Sequence, residues 1–383
     1  MKKYVSFALI FVLCIGGGVF STPALAFSAP DEKAVLPDMM SWVAYEVGSA
    51  GYADAAGIAN ALTQMFGTQI RIIPADPSVA RMLFLKNRIA SYALVADEAY
   101  FASHGLFDFG ERAFGPQNLR VVLGKPNCIA FAVTRSSGLQ TIEDLRGRRL
   151  GIVPGNTSHI IKAKSFLAFG DMTFDDVEIV TMSSYSASLR GLLEGTVDVV
   201  IASTTAATLY ELDASPLGVS YIDMPADDIE GWNRLMEVTA WQFPHEESRG
   251  AGMRRTYTLG GYTYPQIIVY ADMPAEEIYE VAKAIHQAFE LYRDMNPLAA
   301  DWAIELSSRF PQGAPFHEGA IRFLKEMGLW TDEHQKWNDE AIAAIEASKA
   351  AWELVIAEAD EQGIPDSRFN EFWTRRRGEI LGK

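Results

Sequence analysis

The stretch RLGIVPGNTSHIIKAKSFLAFGDMTFDDVEIVTMSSYSASLRGLLEGTVDVVIA, residues 149–202, alternates short apolar runs with helical patterns. Its predicted elements, in chain order, are a strand Arg149–Val153, a helix Ser158–Phe169, a strand Val177–Thr181, a helix Tyr185–Leu193 and a strand Val197–Ala202. A glycine closely follows each helix, which is typical of helix ends. This order of elements is typical of βαβ units on a parallel sheet.

The same rhythm occurs earlier in the chain, which indicates a second copy of this design. The earlier elements are the predicted strands Ser41–Val47, Gln69–Pro74 and Ser91–Ala96 and the predicted helices Tyr52–Phe66, Ser78–Asn87 and Ala99–His104. Two further strands, Leu119–Leu123 and Ile129–Thr134, follow and can run from one copy towards the other. Two copies joined near residue 135 predict an α/β protein with two lobes of similar design.

The predicted domain organisation follows from these two copies and the segments around them. Residues 27–135 form the first part of lobe 1, residues 136–225 form lobe 2, residues 226–330 return to lobe 1, and residues 331–383 add a C-terminal helical extension. Residues 225–261 give no clear element, and the strand Tyr264–Tyr270 marks the return. A length of 383 residues suits two domains better than one core.

The N-terminus has the pattern of a signal peptide. Lys2 and Lys3 precede an apolar run from about Val5 to Phe20, and Ala24-Leu25-Ala26 supplies the small residues of a cleavage site. The run is short for a membrane anchor. We therefore predict a signal peptide at residues 1–26, cleavage near Ala26 and a periplasmic location.

The composition limits the possible partners. The formal net charge is −16, which argues against a general affinity for nucleic acid. An anionic ligand would have to be held by local groups, because the overall field repels it. Of the two cysteines, Cys14 lies in the predicted signal peptide, so Cys128 is left without an internal disulfide partner.

The candidate binding residues lie where predicted strands lead into predicted helices. In an open α/β sheet these turns lie at the carboxyl ends of the strands, where ligands bind. Backbone N–H groups at the start of a helix favour an anion. The candidates in four such turns are Gly48, Ser49, Gly51, Tyr52, Ser78, Asn156, Thr157, Ser158, Thr204 and Thr205. For each hydroxyl or amide side chain alone, a simple helix N-cap is the more common role.

A cationic side chain could complete an anion site. Arg255 lies in the unassigned segment near Tyr257 and Tyr262, and its guanidinium could hold a carboxylate by two parallel hydrogen bonds. Tyr52 could stack on a ligand, and a place in the core is an equally good interpretation of that residue. The sequence does not decide between these interpretations.

The motifs that would indicate an enzyme are missing from the sequence. The segment Gly48-Ser49-Ala50-Gly51 lacks the lysine and hydroxyl of a phosphate-binding loop. Neither H-E-x-x-H nor G-x-S-x-G occurs, and the spacing in His245-Glu246-Glu247 does not place two ligands on one helix face. We therefore predict a binding protein without catalytic residues, a metal ion or a cofactor.

Several segments, in this order, resemble the TAXI-type solute-binding proteins of TRAP (tripartite ATP-independent periplasmic) transporters. They are Gly48-Ser49-Ala50-Gly51-Tyr52, Ser78-Val79, Ser137-Gly138-Leu139 through Arg148, Gly151 through Ser158, Leu192 through Asp198 and His317-Glu318-Gly319-Ala320. The resemblance covers about residues 42–330. It implies a type II periplasmic binding protein fold, in which two α/β lobes close over a ligand by a hinge motion.

The resemblance also implies a ligand and a partner. The protein would be a monomer that delivers a small organic acid or an amino-acid-like molecule, by default a carboxylate, to a TRAP membrane permease. Asp97 is a candidate binding residue because this chain has Val95-Ala96-Asp97 where the family often has Gln-Ser-Asp. Such departures fall at the expected ligand contacts and leave the identity of the ligand open.

Three alternatives stay open on sequence alone. An ABC-type substrate-binding protein is a rival of the same class, since the Asp-Leu-x-Gly segment, Asp144 to Gly147, is common to many type II periplasmic binding proteins. A periplasmic sensor that serves a receptor would have the same two lobes. A periplasmic enzyme on this scaffold would need a nucleophile with its base or a metal set, which the sequence does not display.

Overall fold

The fold is that of a computed structural model of the chain, which describes residues 32–382. The predicted signal peptide, residues 1–26, lies outside the described residues. The strands are β1 Met39–Ala44, β2 Gln69–Pro74, β3 Tyr92–Val95, β4 Leu119–Thr134, β5 Arg149–Ile152, β6 Glu178–Thr181, β7 Val199–Ala202, β8 Val219–Tyr221, β9 Phe243–Glu247 and β10 Tyr257–Tyr270. The α-helices are α1 Ala50–Phe66, α2 Ser78–Lys86, α3 Glu98–His104, α4 Thr157–Phe169, α5 Tyr185–Glu194, α6 Ala207–Ala214, α7 Ile229–Val238, α8 Ala275–Gln287, α9 Phe289–Tyr292, α10 Ile304–Ser307, α11 Glu318–Glu326, α12 Asp332–Glu361 and α13 Asp366–Leu381.

The strands form one path in the order β2-β1-β3-β10-β4-β7-β5-β6, with β8 beside β4 and β9 beside β10. In the first lobe, β1 is parallel to both β2 and β3. In the second lobe, β5 is parallel to both β6 and β7. The long strands β4 and β10 are antiparallel to each other, and β4 continues into the second lobe to pair with β7 and β8. This arrangement confirms the predicted α/β fold with two lobes.

Strand β4 is a single element where the sequence indicated two strands. The residues between the two apolar runs include Lys125, Pro126 and Asn127, and they interrupt the apolar pattern on which the prediction rested. The backbone stays extended through them because β10 lies alongside, with Thr263 opposite Pro126. One unbroken strand therefore links the two lobes.

The ladder between β4 and β10 is irregular where it passes from one lobe to the other. Its register shifts directly after Thr263. Pro126 and Pro265 lie at the same level, and a proline has no backbone N–H to donate. Asn127 compensates in part for these missing N–H donors, because its side-chain amide donates a hydrogen bond to the Tyr264 carbonyl oxygen at 3.0 Å. We call this level of the two strands the crossing region, residues 124–127 and 263–266.

Each lobe has its own hydrophobic core. In the first lobe, buried side chains such as Trp42 and Phe323 pack the helices onto β1, β3 and the ends of β4 and β10. The sheet of the second lobe is covered on both faces. Phe166 of α4 belongs to the cluster on one face, and Leu189 of α5 and Leu209 of α6 belong to the cluster on the other. The cluster on the α4 face also includes Tyr45, Ala50 and Ala96 of the first lobe, so apolar contacts join the two lobes in this closed structure.

The segment without a clear predicted element, residues 225–261, contains α7 and β9. Helix α7 packs against α4, with the ring centroids of Trp232 and Phe169 5.6 Å apart. Strand β9 pairs with the first half of β10. Between α7 and β9, Trp241 packs against Tyr100 and Phe101 of the first lobe, so this segment contacts both lobes. Only Gly231, Trp232 and Leu235 of α7 are buried, which makes its apolar face too narrow to recognise in the sequence.

The C-terminal helices α12 and α13 pack on the first lobe. Helix α12 has 30 residues, about 45 Å of helix, and contacts α3 through a 2.9 Å hydrogen bond between His104 Nδ1 and Ser348 Oγ. In α13, Trp373 Nε1 donates to the Gly105 carbonyl oxygen at 2.6 Å. Within residues 32–382, no helix combines the length and apolar character needed to cross a membrane.

Candidate functional site

A small cavity lies between the lobes, at the carboxyl ends of strands from both sheets. Its volume is about 10 Å³, which is roughly the space for one water molecule. Its lining residues are Tyr45, Ser49 and Asp76 from the first lobe, Asn156, His159, Tyr185 and Ser203 from the second, and Ile129, Tyr262 and Tyr264 from the long strands. We call it the interlobe cavity. In this structure the lobes are closed over it.

Three polar atoms of residues that line the interlobe cavity are buried without a hydrogen-bond partner. They are Asp76 Oδ1 from the first lobe and Asn156 Nδ2 and Ser203 Oγ from the second. Asn156 is 1% exposed and Ser203 is 4% exposed. A buried polar atom left unpaired costs about 1–3 kcal/mol, so such atoms are uncommon unless a ligand satisfies them. Both lobes therefore present unused hydrogen-bonding capacity to the same space.

Four tyrosines give the cavity an aromatic wall. Tyr264 OH accepts a hydrogen bond from Gly51 N at 2.9 Å, and Tyr185 OH accepts one from Ser203 N at 3.2 Å. Tyr45 OH donates to a carboxylate in the first lobe, and Tyr262 stacks on Tyr264 with ring centroids 5.5 Å apart. Burial raises the pKa of all four phenols, so they stay protonated. The hydrogen bonds fix the rings before any ligand arrives.

Behind Tyr45 lies a buried ion pair within the first lobe. Arg81 and Glu98 are fully buried, with Arg81 NH2 and Glu98 Oε1 2.6 Å apart. The Arg81 guanidinium lies 3.7 Å from the centre of the Tyr45 ring. Burial alone would raise the pKa of Glu98, but the Arg81 charge and a hydrogen bond from Ser78 lower it to about 2. Both charges are therefore neutralised inside the lobe.

A second buried ion pair joins the two lobes. Lys162 of α4 donates to Asp97, which follows β3 in the first lobe, and both side chains are almost completely buried. Ser158 Oγ donates to the same carboxylate at 3.2 Å. Burial raises the pKa of Asp97, while the Lys162 charge opposes that shift. The Lys162 ammonium also lies 4.2 Å from the centre of the Tyr262 ring.

Other carboxylates of the first lobe contact helix N-termini of the second lobe. At the start of α5, Tyr185 N donates to Asp76 Oδ2 at 3.2 Å and Ser186 N donates to Glu46 Oε1. At the start of α4, Thr157 Oγ1 donates to Asp108. Helix N-termini carry a partial positive charge that attracts anions. In the closed structure, the protein's own carboxylates accept hydrogen bonds from the first backbone N–H groups of α5, whereas at α4 a carboxylate accepts one from the Thr157 hydroxyl.

Two of the predicted binding residues line the interlobe cavity directly. Ser49 caps α1, where its Oγ accepts from Tyr52 N at 3.1 Å, and Asn156 caps α4, where its Oδ1 accepts from His159 N at 3.3 Å. Gly51 adjoins the cavity wall because its N–H donates to Tyr264 OH. Both side chains thus have the N-cap role that we considered, and Asn156 also turns a free N–H group towards the cavity.

Five more predicted residues lie where the lobes touch. Ser78 N donates to the Gly155 carbonyl oxygen at 2.9 Å, and Ala207 N donates to the Gly48 carbonyl oxygen at 3.4 Å. The other three are Asp97, Thr157 and Ser158, which make the side-chain contacts described above. The structure therefore brings Gly48, Ser49, Gly51, Ser78, Asp97, Asn156, Thr157 and Ser158 to one interface between the lobes.

The remaining predicted residues lie elsewhere. Tyr52 packs against the core of the first lobe, which is the structural interpretation that we had set beside ligand stacking. Helix α6 begins at Ala207, so Thr204 and Thr205 precede it by a turn and do not cap it. Arg255 is 54% exposed and pairs with Asp223 at 2.6 Å, away from the cavity wall.

Several residues of the site were not among the predicted ones. Asp76 and Ser203 lie in turns that the sequence singled out, so a complete list of the polar residues in those turns would have included them. Tyr45 and Tyr264 end or interrupt apolar runs and were indistinguishable from core residues. His159 follows the N-cap of α4, and burial, then Lys162, lower its pKa to about 3, so the ring is neutral.

A larger cavity of about 300 Å³ borders the crossing region. Near it, ligand atoms of Cys128, His245 and Glu247 lie within 4.8 Å of one another. Both carboxylate oxygens of Glu247 already accept hydrogen bonds from the Arg249 guanidinium, at 2.9 Å each. The competing guanidinium charge makes this group of three unsuitable for a cation.

The fold and the site together define the class of this protein. Two α/β lobes that close over a cavity at the carboxyl ends of their strands are the architecture of type II periplasmic binding proteins. Residues 46–328 match the NMT1-like family. The chain therefore belongs to the NMT1-like family.

Solved structures with a similar course of the chain include three proteins. A protein of Bordetella bronchiseptica RB50 is 16% identical with a TM-score of 0.45, over 79% of this chain and 98% of that chain. The alkanesulfonate-binding protein SsuA from Xanthomonas axonopodis pv. citri, bound to MOPS, is 14% identical with a TM-score of 0.41, over 78% and 96%. The aliphatic sulphonate binding protein SsuA from Escherichia coli is 15% identical with a TM-score of 0.41, over 84% and 93%. No curated protein matches the chain by sequence.

Proposed function

We propose that this protein is an extracytoplasmic solute-binding protein that captures one small polar molecule in the interlobe cavity and releases it to a membrane transporter. One observation carries the proposal. Asp76 Oδ1 from one lobe and Asn156 Nδ2 and Ser203 Oγ from the other are buried, unpaired and on the wall of one cavity. A ligand that bridges them would satisfy all three atoms and hold the lobes together.

The closed arrangement supports capture by a hinge motion. The lobes touch through individual hydrogen bonds, such as that from Ser78 N to the Gly155 carbonyl oxygen, and through the Asp97–Lys162 ion pair. Opening would break these contacts and separate Tyr45, Ala50 and Ala96 from the apolar cluster of the second lobe. A closed cavity of about 10 Å³ has no room for an added molecule, so the lobes must part to admit one.

The proposed ligand is a small organic acid or an amino-acid-like molecule, and the charges of the cavity favour the second. Among the described residues that line the interlobe cavity, none is a lysine or an arginine. A simple dicarboxylate would therefore lack a cationic partner there. An amino-acid-like molecule carries both a donor group for Asp76 and an acceptor group for Asn156 and Ser203.

The proposed partner is a TRAP permease, and the protein would act as a monomer in the periplasm. The support is the ordered set of TAXI-like segments between Gly48 and Ala320, together with the predicted signal peptide at residues 1–26. An ABC transporter is the alternative partner. A neighbouring gene for a large permease without an ATPase would favour the first, and a neighbouring ATPase gene would favour the second.

The experiment that tests solute binding combines native mass spectrometry with thermal unfolding. The full chain, purified and then refolded to remove any bound molecule, is heated with organic acids, amino acids and small amines in separate samples. We expect at least one compound to raise the unfolding temperature and to add its own mass, once, to the native ion. If no compound does either, the proposed function is wrong.

A pair of neighbouring substitutions locates the site. Ser203→Ala removes an unpaired hydroxyl of the cavity wall and should weaken binding about 2- to 12-fold, the equivalent of one hydrogen bond of about 0.5–1.5 kcal/mol. Thr205→Ala removes a hydroxyl from the same turn but not from the cavity wall, and should leave the dissociation constant unchanged. Equal effects of the two substitutions, measured by calorimetric titration, would place the site elsewhere.

A further inference from the structure

The charges around the interlobe cavity do not balance within the protein. Arg81 is paired with Glu98 and Lys162 with Asp97, so these two buried cations beside the cavity already have anionic partners. His159, the one other basic side chain at the cavity, is neutral because burial lowers its pKa to about 3. Asp76 is the only acidic side chain among the described residues that line the cavity. No side-chain cation among the described residues forms a direct ion pair with it, although the Arg81 charge acts on it from the first lobe and lowers its pKa.

Asp76 is only half satisfied by the rest of the protein. Oδ2 accepts a hydrogen bond from Tyr185 N at 3.2 Å, at the positive end of α5, while Oδ1 is buried without a partner. Burial and then the neighbouring Glu46 carboxylate raise the pKa of Asp76, and the opposing Tyr185 hydrogen bond and Arg81 charge do not offset them. A cation placed against Oδ1 would remove this penalty.

The aromatic wall suits a cation as well. The faces of tyrosine rings attract positive charge. The protein uses this property twice beside the cavity, with Arg81 3.7 Å from the Tyr45 ring centre and Lys162 4.2 Å from the Tyr262 ring centre. Tyr264 and Tyr185 complete the wall. A small organic cation would therefore meet a carboxylate and aromatic rings in the same space.

The second lobe presents hydrogen-bond donors to the cavity, whereas Asp76 of the first lobe presents an acceptor. Asn156 Oδ1 accepts from His159 N at 3.3 Å, which leaves the Nδ2 group as an unpaired donor. Ser203 Oγ is unpaired beside the same cavity. These groups are each at least nine-tenths buried and belong to the cavity wall, so a molecule bound between the lobes can supply their partners. They fit an acceptor such as a hydroxyl or carbonyl oxygen.

We propose that the ligand is a small primary amine that binds Asp76 Oδ1 through its ammonium group and turns an oxygen acceptor towards Asn156 and Ser203. The acceptor belongs to a hydroxyl, carbonyl or carboxylate group of the same molecule. This proposal rests on the proposed function, since it assigns a chemical class to the solute captured in the interlobe cavity. Asp76 then determines the specificity for amines, and Asn156 and Ser203 of the second lobe bind the oxygen of the ligand.

The test compares molecules that differ in one group. L-alaninol and L-alanine carry an ammonium group, whereas L-lactate and propane-1,2-diol have the same three-carbon chain without nitrogen. Calorimetric titration of the refolded full chain, together with the matched C4 to C6 series, gives each dissociation constant. We expect the amines to bind about 10-fold or more tightly than their nitrogen-free counterparts, as for a charge-assisted hydrogen bond.

Asp76→Asn should remove this preference. The substitution keeps the shape and deletes the charge, so amine affinity should fall about 10- to 100-fold while the nitrogen-free molecules change little. Asp108→Asn is the matched control, because Asp108 also meets the second lobe, at Thr157, but does not line the cavity. It should leave the ratio of amine to non-amine affinity as in the natural protein.

The outcomes separate the two proposals. If organic acids or diols bind as tightly as the amines, or if Asp76→Asn strengthens or spares amine binding, the amine proposal is wrong while solute binding stands. If no compound of any series binds, solute binding itself is wrong, and the amine proposal with it. Should Asp76→Asn fail to fold, the comparison of matched molecules on the natural chain still decides.

Discussion

Two neighbouring carboxylates, Asp97 and Glu98, form ion pairs that are similarly buried but differ in location, one between the lobes and one within a lobe. Glu98 pairs with Arg81 inside the first lobe, whereas Asp97 pairs with Lys162 across the gap between the lobes. Opening the lobes leaves the first pair untouched and exposes the second to water. One pair therefore stabilises the fold of a lobe, and the other stabilises the closed state of the molecule.

The largest effect should come from the pair inside the lobe. Arg81→Met leaves Glu98 buried without its cation, and removing one partner of a buried ion pair typically costs about 3–5 kcal/mol of unfolding free energy. Urea unfolding followed by fluorescence would measure the loss. As a control, Arg322→Met removes an exposed partner of Glu276 and should change stability by no more than about 1 kcal/mol. Equal losses in the two variants would contradict the structural role of Arg81.

The pair between the lobes should give a smaller loss of stability and a change of shape. Lys162→Met leaves Asp97 unpaired, but the lobes can open and hydrate that carboxylate, so we expect a loss of about 1–3 kcal/mol. Small-angle scattering should show a larger radius of gyration than for the natural chain. The double variant with Asp97→Asn should recover part of the stability. A closed Lys162→Met variant as unstable as Arg81→Met would erase the distinction between the pairs.

The smallest effect is expected at Arg255, which lies in neither pair. Arg255 is more than half exposed and its partner is Asp223 of the same lobe, so Arg255→Ala should change the unfolding free energy by less than about 1 kcal/mol. The dissociation constant of the tightest-binding compound should stay the same, because Arg255 does not line the interlobe cavity. A tenfold weakening of binding in calorimetric titration would restore Arg255 as a ligand contact.

Much of the fold could be predicted because its signals are local. Strand β2 and the end of α1 lie where the apolar periodicity placed them, since each is set by residues close together in the chain. Strand β10 begins at Tyr257. The predicted start, Tyr264, was too late because Gly260 and Gly261 have low strand propensity and hid the first part of the strand. The strand persists there because β4 and β9 supply partners on both sides, and such partners are not visible in the sequence.

The site was only partly predictable for the same reason. The turns at the carboxyl ends of strands could be found from the order of elements, and Ser49 and Asn156 do line the interlobe cavity. The contact of Glu46 with Ser186 joins residues 140 positions apart, and nothing local announces it. Helix N-termini suggested an anionic ligand, whereas the first backbone N–H groups of α5 already donate to the protein's own Asp76 and Glu46. The unpaired charge at the interlobe cavity is the negative charge of Asp76, and it can be identified only from the folded structure.

The crossing region has a mechanical consequence. Both strands that connect the lobes lose ladder hydrogen bonds at the same level, because Pro126 and Pro265 lie there and the register shifts after Thr263. The connection between the two sheets is therefore weakest at the crossing region. A force that separates the outer edges of the two sheets would bend the molecule at the crossing region. Such a bend would part the lobes and leave each sheet undistorted.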